Sequence, residues 1–513
     1  MQQLAEPSLL NLTYDVTRHI CDLFNCILSY GVLPNSWHEA RQTLLFKSKT
    51  GNNLDDPNLY RGIASERTLK KIFCKLIVAR LSQTVEKAIP PEQFGFRKGL
   101  GTRDAIHVLQ SEIERAVAKS NKPLYAVFID CVKAFDRAPR NLLIDSFRKA
   151  GVGGPLLRVL FSLLDGDSLL VDSGGGNVIQ VEQNLGTPQG NPLSCLAFSL
   201  LLSELPEFIR EEFRHSLVVM YADNIVIAHY HHGAITAVVN RTVDFLRQRG
   251  LEVNVQKTKA VKFRRSGRTT TERILCNGDP LEFVNSFTYL GLLLHYSGKS
   301  FAEHIRRRVT AALAALAIEC NDVRKLSVSA AVALFELEIV PMLSYALDRV
   351  WGHLTESCFE ALERCFCTYM KRVRCLHPKA RNRFVYLLAG YGPALETIRM
   401  RLKAPTTEPF LSFVYKWQGK VAEALAEVGN LDIYLAREMW AERGCQSRHV
   451  YTRYIVHGYH HVVCSNRNYH QPDDQCVCRF CSQSCAKYHA TACGSFDESL
   501  HSLSRYQRAG GVQ

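Results

Sequence analysis

AVFIDCVKAFD (126–136) and LVVMYADNIVIAHY (217–230) are the stretches whose reading decides the fold. The first belongs to an apolar strand, LYAVFIDC (124–131), that runs into Asp130. The second holds two apolar strands joined too tightly for anything but a hairpin, with Asp223 at its turn. An acid inside an apolar run is costly unless it sits at a strand end or faces a cation. Two such acids on neighbouring strands would make a small anionic site suited to Mg²⁺, which takes a few carboxylates plus substrate phosphates. Either Asp alone reads more readily as an ordinary turn residue.

Working outward, segments 103–120, 139–164 and 194–213 have helical character between the strands. This alternation predicts a mixed sheet covered by helices, an α+β or α/β core. Upstream, residues 7–45 read as a helical lead-in, with Ile20, Leu23, Phe24, Ile27 and Leu28 at helical spacing until Pro34 and Asn35 break it. LLFKSKTGNNLDDPNLYRGI (44–63) is polar, basic and rich in turn formers, and RRSGRTTTER (264–273) reads as a loop. From 301 to about 400 the pattern is helical again. The tail beyond about 445 is polar, carries His, Tyr and Cys, and reads as a separate small module.

The chain has 513 residues, with 63 Lys+Arg against 49 Asp+Glu, so its net charge is 63 − 49 = +14. A hydrophobic share of 47% excludes wholesale disorder. No run of about 18 uninterrupted apolar residues occurs, so no membrane span is expected. MQQLAEPSLLNLTYDV lacks a basic leader before an apolar stretch, so secretion is not expected either. The 18 cysteines then point to a reducing, intracellular setting, nucleus or cytoplasm, as thiols or metal ligands. The positive excess points towards polyanions.

AVFIDCVKAFD (126–136), GTPQGNPLS (186–194), YADN (221–224), LEVNVQKTK (251–259) and YLG (289–291) stand in the order of the reverse-transcriptase palm motifs. LPNSWHEARQTLLFKSKTG, NLYRGIA and EQFGFRKGLGTRDAI resemble the fingers blocks of non-LTR (LINE-type) retrotransposon polymerases. The resemblance covers roughly residues 20 to 390 and continues in the tail; several words in order at normal spacing make it specific. It implies an α+β right-hand polymerase: lead-in and fingers at 1–120, a ferredoxin-like palm at 121–298, a helical thumb at 299–400 and a C-terminal region at 401–513. It implies an RNA-directed DNA polymerase acting on an RNA template, a DNA primer and deoxynucleoside triphosphates, with two catalytic Mg²⁺. The oligomeric state is left open.

By the same resemblance Asp130 and Asp223 hold Mg²⁺, with the Cys131 carbonyl beside them. Phe135 is the bulky gate that excludes a ribose 2′-hydroxyl. Lys47 and Arg61 hold the incoming triphosphate through charge-assisted bonds. Gln189 with Gly190 lies under the nucleotide, Lys257 protonates the pyrophosphate, and Tyr289, Leu290 and Gly291 form the primer grip.

Where the family's motif C ends in two adjacent aspartates, this chain has Asn224. An amide offers one neutral oxygen in place of a carboxylate, which weakens attraction for two cations. The alternative is therefore a catalytically impaired, polymerase-derived protein that binds nucleic acid. Asn191, after PQG, reads as tolerable variation. Autonomous elements commonly add an endonuclease, for which this sequence shows no segment.

Two stretches concentrate cations without acids: KTKAVKFRRSGR (257–268) and KRVRCLHPKARNR (371–383). Such tracks release counterions from a nucleic-acid backbone. In the second, Lys371, Arg372, Arg374, Lys379, Arg381 and Arg383 fall in the expected thumb, where a template–primer duplex would lie. The tail's Cys478, Cys481, His489 and Cys493 give C-x2-C-x7-H-x3-C, a spacing that can close a tetrahedral Zn²⁺ site. It resembles the knuckle ending many non-LTR polymerase chains, although Cys476 and Cys485 leave the ligand choice open.

Overall fold

The computed structural model describes residues 13–46, 59–118, 122–164, 168–172, 178–183, 185–187, 190–265, 272–323, 328–373, 382, 385–386 and 393–429. Contacts divide the chain into one unit of Met1–Leu290 with His295–Gly298, and a second of Gly291–Leu294 with Lys299–Gln513.

The first unit begins with α1 (Tyr14–Tyr30), closed by Gly31, whose N–H bonds back to Ile27. Residues 39–46 then form a strand, β1 (Glu39–Phe46), within the 7–45 lead-in read as helical, and its partner β2 (Tyr60–Ser65) begins inside the stretch read as rich in turn formers. β1 pairs antiparallel with β2 and parallel with β4 (Ser168–Asp172), which in turn pairs with β5 (Val178–Glu182). Partners on both sides override the local helical signal of EARQTLLF, as sheet context commonly does. Trp37, just ahead of β1, stacks among Phe24 of α1 and Phe73 of α2 (Thr68–Val85), tying this sheet to the core.

The central sheet carries β3 (Leu124–Ile129), β6 (Leu217–Tyr221), β7 (Asn224–His229) and β8 (Lys259–Phe263), with short strand Glu282–Phe283 at one edge. Its order is Glu282–Phe283, β8, β3, β7, β6. All six residues of β3 are buried, which explains an apolar run without alternation: a central strand covered on both faces has no wet side. α3 (Thr102–Ala118) and α9 (His232–Gln248) pack on this sheet. α4 (Ala134–Arg137), α5 (Arg140–Lys149), α6 (Gly154–Leu164), α7 (Pro192–Leu201) and α8 (Leu205–Arg210) complete the unit. Pro192–Arg210 is long and apolar enough to cross a bilayer by composition, and 61% of that stretch is buried within the protein.

Apart from the strand at Leu292–His295, the second unit is helical where described, with long helices Ala302–Val323, Glu356–Val373 and Glu408–Gly429. Its core gathers Phe335, Phe366 and Tyr369, and separately Trp351, Phe359 and Phe410. Together the two units give a fold of mixed helices and sheets.

Candidate active site

β3 delivers Asp130 at its end, and the segment after α9 fixes it there. Asn254 N–H donates to the Asp130 carbonyl at 2.8 Å, Val132 N–H donates to the Glu252 carbonyl at 2.8 Å, and the Asp130 N–H donates to Thr258 Oγ1 at 3.2 Å. The β6–β7 hairpin pairs Tyr221 with Asn224, leaving Ala222 and Asp223 as its two-residue turn. β7 and β3 are neighbours, with Ile225 opposite Ile129, so Asp130 and Asp223 lie at the same end of adjacent strands. Both line one cleft of about 890 Å³, together with Phe135, Lys257, Gly190 and Asn224.

The electrostatics follow from this convergence. Burial pushes the Cys131 thiol up to about 12, and the negative charges of Asp223 and Asp130 add to the same shift. Burial also holds the Asp130 carboxyl above its ordinary value, while the Lys257 ammonium acts in the opposite direction. Lys257 is exposed, and its N–H is bonded to Asn254 Oδ1 at 3.1 Å. Asn224 is exposed, and its amide donates to the Tyr221 carbonyl at 3.5 Å. Among the described residues no three His, Cys, Asp or Glu side chains gather as a metal cage. Two carboxylates at an open cleft nonetheless suit Mg²⁺, which completes its shell with water and substrate phosphate.

The floor beside the acids is aromatic. Phe135 stacks on Phe198 at 4.4 Å and meets Phe96 edge-on at 6.5 Å. Gly186, at φ +75°, runs against α4 so closely that a Cβ would lie 2.5 Å from the Asp136 backbone. Its N–H donates to the Ala138 carbonyl at 2.9 Å, and Thr187 N–H donates to the Phe135 carbonyl at 2.9 Å. That pairing seats Gly186 and Thr187 against α4, and Gly190 lines the cleft wall.

Asn191 has a structural part in this loop. It caps α7 by accepting from Leu193 N–H at 2.8 Å, and it donates to Glu66 Oε1 at 3.1 Å. Glu66 is in turn paired at 3.0 Å with Lys70, both side chains shut away from solvent. A buried ion pair needs further bonds to its remaining polar atoms, and Asn191 supplies one.

The remaining expected residues are dispersed. Arg61 lies on β2 opposite Leu45, between the cleft-lining Tyr60 and Gly62. Tyr289 is buried, and burial raises its phenol above the ordinary value. Leu290 and Gly291 both have positive φ, +45° and +85°. Lys371, expected to face a template–primer duplex, is half-buried: it donates to Asn382 Oδ1 at 2.7 Å, and burial lowers its ammonium below the usual range. Arg372 is exposed and donates to the Leu313 carbonyl at 3.3 Å. In the other basic stretch, Lys259 and Lys262 are committed to Glu282 and Glu272 at 2.6 and 2.7 Å. Lys47, Gln189, Arg374, Lys379, Arg381, Arg383 and the tail ligands Cys478, Cys481, His489 and Cys493 lie outside the described residues.

Sequence reading missed the segment that grips the Asp223 turn. Gln93, fully buried, accepts from Ala222 N–H at 3.0 Å and Gly95 N–H at 2.9 Å. On either side of it, Met220 N–H donates to the Glu92 carbonyl and Phe94 N–H to the Met220 carbonyl, each at 2.8 Å. EQFGFRKG was legible as a resembling word, but nothing in its composition marks the glutamine.

Residues 47–294 match the family model described as reverse transcriptase (RNA-dependent DNA polymerase). The probable RNA-directed DNA polymerase from transposon BS of Drosophila melanogaster is 27% identical, over 66% of this chain and 39% of that protein. The RNA-directed DNA polymerase from mobile element jockey of the same organism is 28% identical, over 65% of this chain and 37% of its own length. The Pol polyprotein from retrotransposable element R2 of Popillia japonica is 24% identical, over 69% and 50%. The chain thus spans well under two thirds of these relatives. A solved telomerase from Candida albicans aligns at a TM-score of 0.44 and 12% identity, over 82% of this chain and 68% of that one.

Proposed function

We propose that residues 47–294, which match the reverse transcriptase family model and resemble polymerases of LINE-like, non-LTR transposons, form a reverse transcriptase domain, and that this chain extends a DNA primer on an RNA template. The observation that carries the reading is the convergence of Asp130, Asp223, Lys257 and Phe135, from separate segments, on one cleft. The donor set of two carboxylates, the Cys131 carbonyl and a neutral Asn224 oxygen fits Mg²⁺ better than a soft metal. Two divalent cations held there supply activation of the primer 3′-hydroxyl and charge stabilisation of the leaving pyrophosphate.

The chain's own residues do the rest in this reading. Phe135, fixed by its stack on Phe198, is a rigid ring that leaves no room for a ribose 2′-hydroxyl. Lys257, whose charge acts on Asp130, hands a proton to pyrophosphate. Lys47 and Arg61 neutralise the triphosphate, Gln189 with Gly190 supports the nucleotide, and Tyr289, Leu290 and Gly291 seat the primer end. The arrangement is the right hand of fingers, palm and thumb, with a structural Zn²⁺ in the Cys478–Cys493 knuckle and an intracellular setting.

A second reading has its own observation. Asn224 removes a negative charge from the cleft mouth, which favours a protein that binds nucleic acid with reduced or no turnover. Mg²⁺-dependent primer extension on an RNA template separates the two, with Asp130→Ala as blank. Extension by the wild-type chain supports the polymerase. Silence that Asn224→Asp breaks assigns an impaired one, and silence from both overturns the catalytic reading.

A further inference from the structure

The turn bearing Asp223 is held in a conformation that its own sequence does not favour. Ala222 sits at φ +54°, a left-handed conformation that is unfavourable for a residue with a Cβ. Such strain persists only where surroundings impose it. The two-residue hairpin turn demands a positive φ at this position, and a side chain from a distant segment holds it there. Gln93 Oε1 accepts the Ala222 N–H at 3.0 Å, and its Nε2 donates to the Ala222 carbonyl at 3.4 Å, so one amide bonds both peptide groups flanking the strained residue. The same Oε1 accepts Gly95 N–H at 2.9 Å, which fixes the amide's own orientation.

The fit is close. A Cβ on Gly95 would stand 2.5 Å from the Ala222 nitrogen, so only glycine lets the segment lie against the turn. Gln93 is fully buried, and a buried amide is retained only where its bonds are made. Gln93 itself does not line the cleft, whereas Ala222 and Asp223 do.

We propose that Gln93 is a positioning residue for catalysis: its side-chain amide holds Ala222 in the left-handed conformation and so aims the Asp223 carboxylate at Asp130. The inference rests on the polymerase reading of the cleft. A second consequence follows from the geometry. Phe96, at φ +61° and 52% exposed, edges onto Phe135 three residues after Gln93. The clamp therefore joins the aromatic floor of the cleft to its acidic turn in one short segment.

Removing the amide should relax Ala222 towards negative φ and swing Asp223 away. A glycine at 222 adopts positive φ freely and should restore the turn without the clamp. The test uses the full chain and two readouts: Mn²⁺ affinity by electron paramagnetic resonance, and steady-state primer extension. Gln93→Met is expected to weaken Mn²⁺ binding about tenfold and lower kcat about a hundredfold, with the nucleotide KM nearly unchanged. The double variant Gln93→Met with Ala222→Gly should recover most of both.

Where Gln93→Met yields no folded protein, Gly95→Ala carries the test, since it crowds Ala222 N while leaving Gln93 in place. Wild-type Mn²⁺ affinity and kcat in the single variants would overturn the proposal. So would a double variant no better than Gln93→Met, which would mark a merely structural glutamine. A wild-type chain that binds Mn²⁺ through Asp130, shows this Gln93 dependence and extends no primer would leave the clamp standing and sink the polymerase reading. Mn²⁺ binding unaffected by Asp130→Ala would sink both.

Discussion

Asp130 is placed where its charge is disfavoured. Burial raises its pKa, so the ionised form is less stable in the folded chain than in the unfolded one, and the Lys257 ammonium only partly offsets this. Linkage fixes the sign: a carboxyl with a raised folded pKa costs stability as pH climbs through the interval between its unfolded and folded values. Replacing it by a neutral isostere should therefore help the fold and ruin the site. Asp130→Asn is expected to raise the melting temperature at pH 7.5 while cutting primer extension about a hundredfold or more, a trade seen at strained functional positions. Scanning fluorimetry and an extension assay on the same preparation check it, and a lower melting temperature would refute the account. Asn224 argues the reverse case. It sits at the open mouth of the cleft, its amide reaching only the Tyr221 carbonyl. A carboxylate there adds one charge opposite two cations, so Asn224→Asp should lower the half-saturating Mg²⁺ concentration several-fold. Titrating Mg²⁺ at fixed nucleotide reads this directly.

At the scale of elements, the helix Glu356–Val373 and the helix Ala394–Leu402 are joined by one buried carboxyl. Glu363 accepts the N–H groups of Ala394 and Leu395, each at 3.0 Å, capping the second helix from outside its own sequence. Burial dominates and pushes Glu363 up from 4.5 to about 7, against the pull of those two N–H groups and the Tyr386 hydroxyl. The folded unit thus holds a proton that the unfolded chain releases, and stability should fall as pH rises from about 4.5 to about 7, then level off. The shift corresponds to about 3 kcal/mol. Urea unfolding between pH 5 and 8 should show this slope in the wild type and lose it in Glu363→Gln. Asn191 predicts a second linkage between elements. Asn191→Ala removes a cap worth about 1 kcal/mol and a donor to a buried carboxylate, together about 2–4 kcal/mol. Asn191→Ser keeps the cap alone and should recover part of that loss in the same urea titration. Neither linkage was legible beforehand, and the reason is physical. Strand β3, the β6–β7 hairpin and helix α3 announce themselves because burial of a whole element writes a local apolar pattern. β1 does not, because its pairing with β4 is settled by a distant segment and half its side chains stay exposed. A buried glutamine or glutamate that serves another element leaves no periodic trace at all.

For the whole molecule, the two acids were readable because each interrupts an apolar strand, and their meeting was readable only through the ordered words around them. Charge was less informative than it looked. The net +14 counts every cation alike, yet the fold withdraws several from solvent. Lys259 and Lys262 face Glu282 and Glu272, and Lys371 is half-buried against Asn382. Such groups release no counterions when a polyanion binds, because their charge is already answered or masked. Arg265, exposed just after β8, has no such burial. Nucleic-acid affinity should therefore depend on salt through the exposed set alone. In a titration of a labelled RNA–DNA hybrid from 50 to 200 mM KCl, Arg265→Gln is expected to reduce the slope of log K against log salt by about 1. Lys259→Gln and Lys262→Gln, which remove the cations facing Glu282 and Glu272, should leave that slope unchanged. Equal slope losses in all three variants would mean that the ion pairs open on binding and that raw charge, not its placement in the fold, governs the interaction.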